Sequence, residues 1–154
     1  MKRVLVLLLI AMSHAGYGQA LHVDSTRFIT GNHCCTGIEN AIPTADNGIL
    51  FVGYEYGEPG GIIPRLALDS FGTNVLVGKI DSNQHISWIK VYGGSQNEGA
   101  RCAVQTPDGG YAILGNTESN DGDVTGYRGY VDIWLMRLDA EGNLLWEKTF
   151  GSSL

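Results

Sequence analysis

The stretch TPDGGYAILGNTESNDGDV, Thr106–Val124, decides the fold. Asp108-Gly109 stands between two runs rich in apolar residues, Ala100–Thr106 and Tyr111–Gly115. This pattern predicts a β-hairpin, because a tight hairpin turn needs residues that adopt positive φ. The acidic second half of the stretch is predicted to be a long loop that follows the hairpin.

The sequence around this hairpin is an internal repeat. Arg27–Tyr54 aligns without gaps on Ile89–Asn116 at an offset of 62 (position 44 to 106). Asn74–Gly94 aligns on Asp132–Ser152 at an offset of 58 (position 81 to 139). The difference of four residues falls in a loop, where insertions are tolerated. A period of about 60 residues indicates a propeller or a stacked β-array.

Each unit is predicted to contain four short strands. The later strands of the second unit are Ile133–Leu138 and Leu144–Phe150, with a turn at Asp139–Asn143, and they match Val75–Ile80 and Ile86–Tyr92. No segment of the mature chain shows helical periodicity. The predicted fold is all-β: two to three four-stranded antiparallel blade-like repeats of about 60 residues, forming an open partial β-propeller.

Each unit places one tryptophan in its last strand, Trp88 in the first and Trp146 in the second. An aromatic residue that recurs at the repeat period favours packing between neighbouring units over stacking on a sugar.

The N-terminus has the pattern of a secretory signal peptide. Lys2 and Arg3 precede the apolar run Val4–Met12, which is too short to span a membrane, and small residues follow as far as Ala20. We expect residues 1–20 to be the signal peptide, with cleavage after Ala15 or Ala20. The protein is then exported to the periplasm, the cell surface or the exterior.

Residues 21–94 form the first, degenerate unit, and 95–154 form the second, which ends where a further unit would begin. This ending predicts that the chain is a fragment of a longer array.

The net charge bears on the partners of the protein, and the cysteine content bears on its disulfide bonds. Losing the two basic residues of the signal peptide leaves 8 (10 − 2) against 16 acidic residues, so the net charge of the mature chain is about −8 with His neutral. Such a charge argues against nucleic-acid partners. Cys34, Cys35 and Cys102 are an odd set, so one bridge from Cys102 to either neighbour would leave a free thiol.

The second unit resembles a repeat of exported Bacteroidota proteins, in which T-x-D-G-G-Y, S-x-D-G-D and L-D-x-x-G-x-x-x-W-x-K follow in order. The resemblance implies a β-propeller-like array, often joined to a C-terminal domain for type IX secretion. The first unit departs from the pattern at Pro43, Asn47 and the Cys34-Cys35 pair. Leu138–Trp146 is also similar to the tryptophan-docking motif of quinoprotein-type propellers, although it is one residue shorter.

The acidic loop is a candidate calcium site, because Ca²⁺ binds six to eight oxygen ligands. The EF-hand pattern fails, since its twelfth position would be Arg128, and turn formation explains such loops more often than ions do. No other cofactor is predicted. The candidate calcium ligands are Asn116, Glu118, Asn120, Asp121 and Asp123.

Two long loops, Tyr54–Thr73 and Asn116–Tyr130, are expected to lie on one side of the array. Exposed loop tyrosines suit carbohydrate or protein ligands, because an aromatic face with a hydroxyl group binds at low entropic cost. The candidate ligand-binding residues are Tyr54, Tyr56, Tyr127 and Tyr130.

No catalytic motif emerges. The sequence lacks G-x-S-x-G and a P-loop, and Glu55 and Glu58 fit solvated loop carboxylates better than an acid-base pair. We therefore expect a non-catalytic binding or scaffolding module, with further blades of the same chain or a second copy as neighbours. The alternative is the N-terminal part of a larger secreted propeller enzyme, a hydrolase or a quinoprotein-like oxidoreductase.

Overall fold

The computed structural model of the chain describes residues 27–30, 33–56 and 72–153. The predicted signal peptide and residues 57–71 of the first long loop lie outside the described residues. Within these ranges the protein is all-β, as predicted, and contains no helix.

Nine strands are described, and they form two antiparallel sheets. The first sheet has the order β1-β2-β3-β4-β5 and the second the order β6-β7-β8-β9. The fifth strand of the first sheet, β1, was not predicted. The strands are β1 (Arg27–Thr30), β2 (His33–Pro43), β3 (Ile49–Tyr56), β4 (Thr73–Ile80), β5 (Ile86–Tyr92), β6 (Glu98–Gln105), β7 (Tyr111–Thr117), β8 (Asp132–Leu138) and β9 (Leu144–Phe150).

The predicted hairpin turns are confirmed, and equivalent turns have the same backbone conformation. The β2–β3 and β6–β7 turns place Asn47 and Gly109 at φ 61° and 88°. The β4–β5 and β8–β9 turns place Gln84 and Gly142 at φ 66° and 77°. Both pairs follow the offsets of 62 and 58, so the sequence repeat is a structural repeat.

Irregularities in strand pairing also repeat. The register of β2 against β3 shifts between Ile38 and Asn40, and that of β6 against β7 shifts between Ala100 and Cys102, which is 62 residues later. The shift at Lys79 in β4 has its counterpart 58 residues later at Arg137 in β8. A bulge bends a strand and increases its twist, so both sheets are irregular at equivalent positions.

The two sheets pack face to face around one hydrophobic core. The first sheet contributes Leu50, Val52, Val75, Val77 and Tyr92, and the second contributes Ala100, Ala103, Tyr111, Ile113, Trp134, Met136 and Leu138. A second cluster lies on the opposite face of the first sheet and consists of Ile38, Ala41, Phe51, Leu76 and Ile80. The inner strands β3 and β4 therefore bury apolar side chains on both of their faces.

Two basic residues at equivalent positions of the repeat, Lys79 and Arg137, lie in inner strands of their sheets, β4 and β8. Lys79 is 4% exposed in the central strand β4, and its Nζ donates to Asp46 Oδ2 at 2.8 Å and to Ile80 O at 2.9 Å. Arg137 makes the equivalent bonds to Asp108 and Leu138 O. Each cation therefore ties one hairpin turn to the neighbouring central strand.

Candidate functional site

The predicted calcium loop lies against the linker between the sheets. Four successive backbone N–H groups of the linker, from Gly93 to Gln96, donate to side chains of the second unit. The acceptors are Asp123 Oδ2 (3.1 Å), Glu98 Oε2 (2.9 Å), Asp121 Oδ1 (2.7 Å) and Ser119 Oγ (2.8 Å). These acceptors satisfy donors that have no partner within a strand.

The remaining candidate calcium ligands point to other roles or to solvent. Glu118 Oε2 accepts from Asn97 Nδ2 at 2.8 Å, Asn116 lies in β7 opposite Gly99, and Asn120 is exposed. Across the described ranges no cluster of three or more His, Cys, Asp or Glu side chains is arranged to hold a metal ion. Calcium binding stays a prediction from the sequence.

Burial shapes the electrostatics of this loop. The pKa of Asp123 is raised, chiefly because the carboxyl group is desolvated, while the bond from Gly93 N–H partly opposes that shift. Glu98 is 1% exposed, and its Oε1 accepts from Thr117 Oγ1 at 2.7 Å. Glu98 at the start of β6 and three residues of the loop thus hold the linker through hydrogen bonds. We call these four residues the linker clamp: Glu98, Ser119, Asp121 and Asp123.

Sequence reasoning missed Glu98 and Ser119. The repeat gives no signal for Glu98, because the equivalent position in the first unit, 62 residues earlier, is Thr36. The tight Gly93-Gly94 linker was the one available clue, since a strand-to-strand connection with exposed donors needs acceptors nearby.

A second buried carboxylate, Asp132, fixes the other end of the long loop. Its Oδ2 accepts from Arg128 N–H at 2.7 Å, whereas its buried Oδ1 has no hydrogen-bond partner. Gly151 packs directly against Asp132, and the equivalent Gly93 packs against Asn74. A side chain at either glycine would collide with the polar group, which explains the glycine after the aromatic residue in both units.

Tyr127 and Tyr130 are brought together by the second long loop. Tyr127 Oη donates to Tyr130 O at 3.1 Å, and Tyr130 is 92% exposed with φ 70°. The loop is held to β9, because Thr125 N–H donates to Glu147 Oε1 at 3.1 Å and Thr149 Oγ1 donates to Thr125 O at 2.9 Å. An aromatic ring is therefore presented to solvent on an anchored backbone.

The other two candidate tyrosines belong to a strand rather than to a loop. Tyr54 and Tyr56 lie in β3, and Tyr54 is half-buried with its ring over Gly37. Tyr56 is 42% exposed. The two pairs thus sit on different sheets, and the predicted clustering of the two long loops depends on residues 57–71, outside the described part of the chain.

Trp88 joins the two sheets, as the repeat predicted. Its Nε1 donates to Ala140 O at 3.2 Å, and its ring meets Tyr111 edge-on with the centroids 6.1 Å apart. Beside it Lys90 Nζ donates to Asn143 Oδ1 at 2.7 Å, and Tyr92 Oη donates to Gly142 O. Trp146, by contrast, is exposed.

Cys102 is an exposed free thiol on the second sheet. The side chains of His33, Cys34 and Cys35 lie outside the described part of the structure. A disulfide bond between Cys102 and Cys34 or Cys35 therefore stays a prediction from the sequence.

Comparisons with known proteins identify no family. No protein-family model matches the sequence, and no curated protein is significantly similar to it. The described residues include no helix of the length and apolar character that crossing a membrane requires.

Proposed function

We propose that the protein is an exported, non-catalytic repeat module that binds or scaffolds other molecules at the cell surface or outside the cell. In this proposal the two sheets are blades of an open partial β-propeller, akin to the Bacteroidota arrays that use type IX secretion. The hairpins, the bulges and the bonds of Lys79 to Asp46 and of Arg137 to Asp108 occur in both units and support a repeat scaffold.

The observation that carries the binding role is the presentation of Tyr130. Tyr130 is 92% exposed on a loop anchored at Thr125 and Asp132, so its ring adds nothing to the core. Its φ of 70° is a strained conformation for a residue other than glycine. Such a ring loses little entropy when it stacks on a ligand. Tyr127 stabilises the loop conformation through the hydrogen bond that it donates to the carbonyl oxygen of Tyr130.

The ligand class follows from charge and from the aromatic ring. A mature net charge of about −8 (8 − 16, His neutral) disfavours polyanions, whereas neutral sugar faces and protein surfaces suit tyrosine. We propose a carbohydrate or protein ligand.

The polar side chains of the described chain support a non-catalytic role. The buried carboxylates Glu98 and Asp132 bond to backbone N–H groups of the linker and the long loop. These bonds use the carboxylates as structural acceptors.

Affinity electrophoresis on gels with neutral polysaccharides tests the binding role. We expect retardation of the purified protein, and the change Tyr130→Ala should weaken binding about tenfold, equivalent to about 1.4 kcal/mol. Leu145→Ala, which shortens an exposed apolar side chain of β9 that belongs to no candidate site, is the matched control. Equal affinity of the Tyr130→Ala variant and the unaltered protein would remove Tyr130 from the site.

A fusion to an alkaline phosphatase that is active only after export tests the location. Residues 1–20 should direct active enzyme out of the cytoplasm, and Leu8→Asp should abolish this activity, because a charge interrupts the apolar run. Activity that is the same with and without residues 1–20 would contradict export by this segment.

A further inference from the structure

The outer face of the second sheet, which points away from the first sheet, carries a line of apolar side chains in solvent. Exposure of these side chains ranges from 40% to 59%. We define the outer face by five of them: Val104, Leu114, Ile133, Trp146 and Phe150.

The equivalent face of the first sheet is covered. Subtracting the repeat offsets of 62 and 58 from the outer-face positions gives Ile42, Val52, Val75, Trp88 and Tyr92. All five belong to or pack against the core between the sheets, and Val52 and Val75 have no exposed surface. The same apolar positions are thus buried or partly buried against the neighbouring sheet in the first sheet and exposed in the second.

We propose that the outer face binds one more sheet of the second-unit type, in the geometry by which the second sheet covers the first. This inference rests on the proposed scaffolding function and specifies what the scaffold joins. Burying five large apolar side chains is a strong driving force for association. The contacts across the existing interface indicate which residues the bound sheet must contain.

The bound sheet needs a glycine and an asparagine in its last hairpin turn. A Cβ at Gly142 would lie 2.9 Å from the ring of Trp88, closer than two carbon atoms normally approach. Glycine at this position therefore leaves the space that the tryptophan ring occupies. Lys90 donates to Asn143 next to that glycine. Trp146 and Lys148 occupy the positions of Trp88 and Lys90 in the second sheet and would make these contacts with the bound sheet.

The bound sheet also needs its own linker clamp. In the existing junction the carboxylates and the hydroxyl group of the clamp accept from the N–H groups of Gly93–Gln96. The repeat places 151–153 in the position of 93–95, and these residues are exposed. Acidic side chains of the bound sheet would take these donors.

A second copy of this chain does not meet the requirements. Its first sheet has Gln84 at the position of Gly142, and the glutamine side chain would occupy the space that the ring of Trp146 needs. His85 likewise replaces Asn143, the residue that would bond to Lys148. The far face of that sheet is already buried at Phe51 and Leu76. The β8–β9 turn of a second copy, which contains the glycine, is already in contact with the Trp88 of that copy. The partner is therefore a further unit with the glycine turn.

The test adds such a unit and uses Cys102 as the reporter. Residues 96–153 are repeated after Ser153 of the full chain, so that the new linker keeps the repeat spacing. Cys102 is exposed, and its first-unit equivalent Asn40 accepts from Ala103 N–H across the interface at 3.3 Å. Cys34 and Cys35 are changed to Ser, as is the cysteine of the appended copy, so that one thiol remains.

Docking should slow the reaction of Cys102 with a thiol reagent at least about tenfold, because the thiol then reacts only when the interface opens. The change Gly142→Gln in the appended copy alone should restore the rate of the unextended chain, as should Trp146→Ala in the original unit. In the unextended chain Trp146→Ala should leave the rate unchanged.

Several outcomes would overturn the proposal. One is an unchanged rate in an extended chain whose appended strands show amide protection. An appended unit that stays unfolded also contradicts it, since the outer face should supply the surface against which that unit folds. A protected Cys102 and a dimeric mass in the unextended chain would assign the face to a second copy. None of these readouts depends on Tyr130, so failure of ligand binding is measured separately.

Discussion

At the scale of single residues, two pairs of equivalent turn positions adopt positive φ, and one member of each pair is not glycine. Asn47 tolerates this conformation well, but Gln84 does not, and it occupies the place that Gly142 has in the second unit. Gly142 is required for a further reason, because Trp88 lies directly over it. Steric contact and backbone conformation can therefore be separated by experiment.

The change Gly142→Ala should cost more stability than Gly109→Ala. Both positions have positive φ, so each alanine should cost about 1 kcal/mol in backbone strain. Nothing lies within 4 Å of a Cβ at Gly109, whereas the ring of Trp88 lies 2.9 Å from one at Gly142. We expect a total loss of about 2–3 kcal/mol for Gly142→Ala in denaturant-induced unfolding. Equal losses of stability in the two variants would show that the Trp88 ring can move aside at no cost in free energy.

Asp46 should make the stability depend on pH in the acid range. The bond from Lys79 and that from Thr44 lower the pKa of Asp46 from 3.8 to about 2. A carboxyl group whose pKa is lowered on folding stabilises the fold above the unfolded pKa, and that contribution is lost as the pH falls. Between about pH 4 and pH 2 the unaltered protein should therefore lose stability that an Asp46→Asn variant lacks throughout.

The magnitude of this effect is limited by solvent. The side chain of Asp46 is 59% exposed, so screening reduces the expected cost of Asp46→Asn at pH 7 to about 1 kcal/mol. Urea unfolding at several pH values measures the difference. Glu141→Gln, which removes a carboxylate from an exposed turn without removing the partner of Lys79, is the control. A gap between Asp46→Asn and the unaltered protein that is constant from pH 7 to 2 would contradict the assignment.

At the scale of elements, the hairpins were the part of the fold that the sequence could predict. Leu144–Phe150 and Ile86–Tyr92 have the predicted bounds, because Asp139 and Asp81 mark the turns before them. In both turns the carboxylate accepts from a backbone N–H group four residues later, at Asn143 and His85. Such bonds are local, so a short stretch of sequence contains all of their information.

The linker clamp was harder to predict, because its partners are distant in sequence. Asp121 accepts from Ser95 N–H, 26 residues earlier, and an acidic loop has the same composition whether it binds an ion, water or a linker. Burial of Lys79 could not be predicted from the sequence for a similar reason. A lone basic residue in a strand suggests an exposed position, and its partner Asp46 is 33 residues away.

The change Asp121→Ala should loosen the junction between the sheets. It removes the acceptor of Ser95 N–H and should cost about 1 kcal/mol, the usual net value of such a bond. Hydrogen exchange should speed up at the amides of Gly93–Gln96 before it changes in β7. The neighbouring Asn120→Ala, at an exposed position, should change neither quantity. Faster exchange in Asn120→Ala as well would indicate a general effect on the loop.

At the scale of the whole molecule, the two sheets depend on each other. The main core takes side chains from both, and Ala45 N–H donates to Gln105 Oε1 at 2.8 Å at the edge of that core. Either sheet alone, with five or four strands, would expose an apolar face on the side that has lost its neighbour. The described sheets should therefore unfold in one cooperative transition.

The paired changes Trp88→Leu and Trp146→Leu test this dependence at equivalent positions of the repeat. Trp88 packs on Tyr111 and bonds to Ala140, so its loss should cost about 2–4 kcal/mol and lower the transition midpoints of both sheets together. Trp146 is 45% exposed, and its loss should change stability by less than about 0.5 kcal/mol.

Urea unfolding followed by circular dichroism, with hydrogen exchange resolved by strand, distinguishes the outcomes of the tryptophan pair. In Trp88→Leu, β3 of the first sheet and β8 of the second should lose the same protection, because each is covered by the other sheet. Loss of protection in one sheet alone would mean that the sheets fold independently. A large cost for Trp146→Leu would mean that the outer face is already covered in solution. The prediction therefore holds only if the tryptophan between the sheets matters and its exposed counterpart does not.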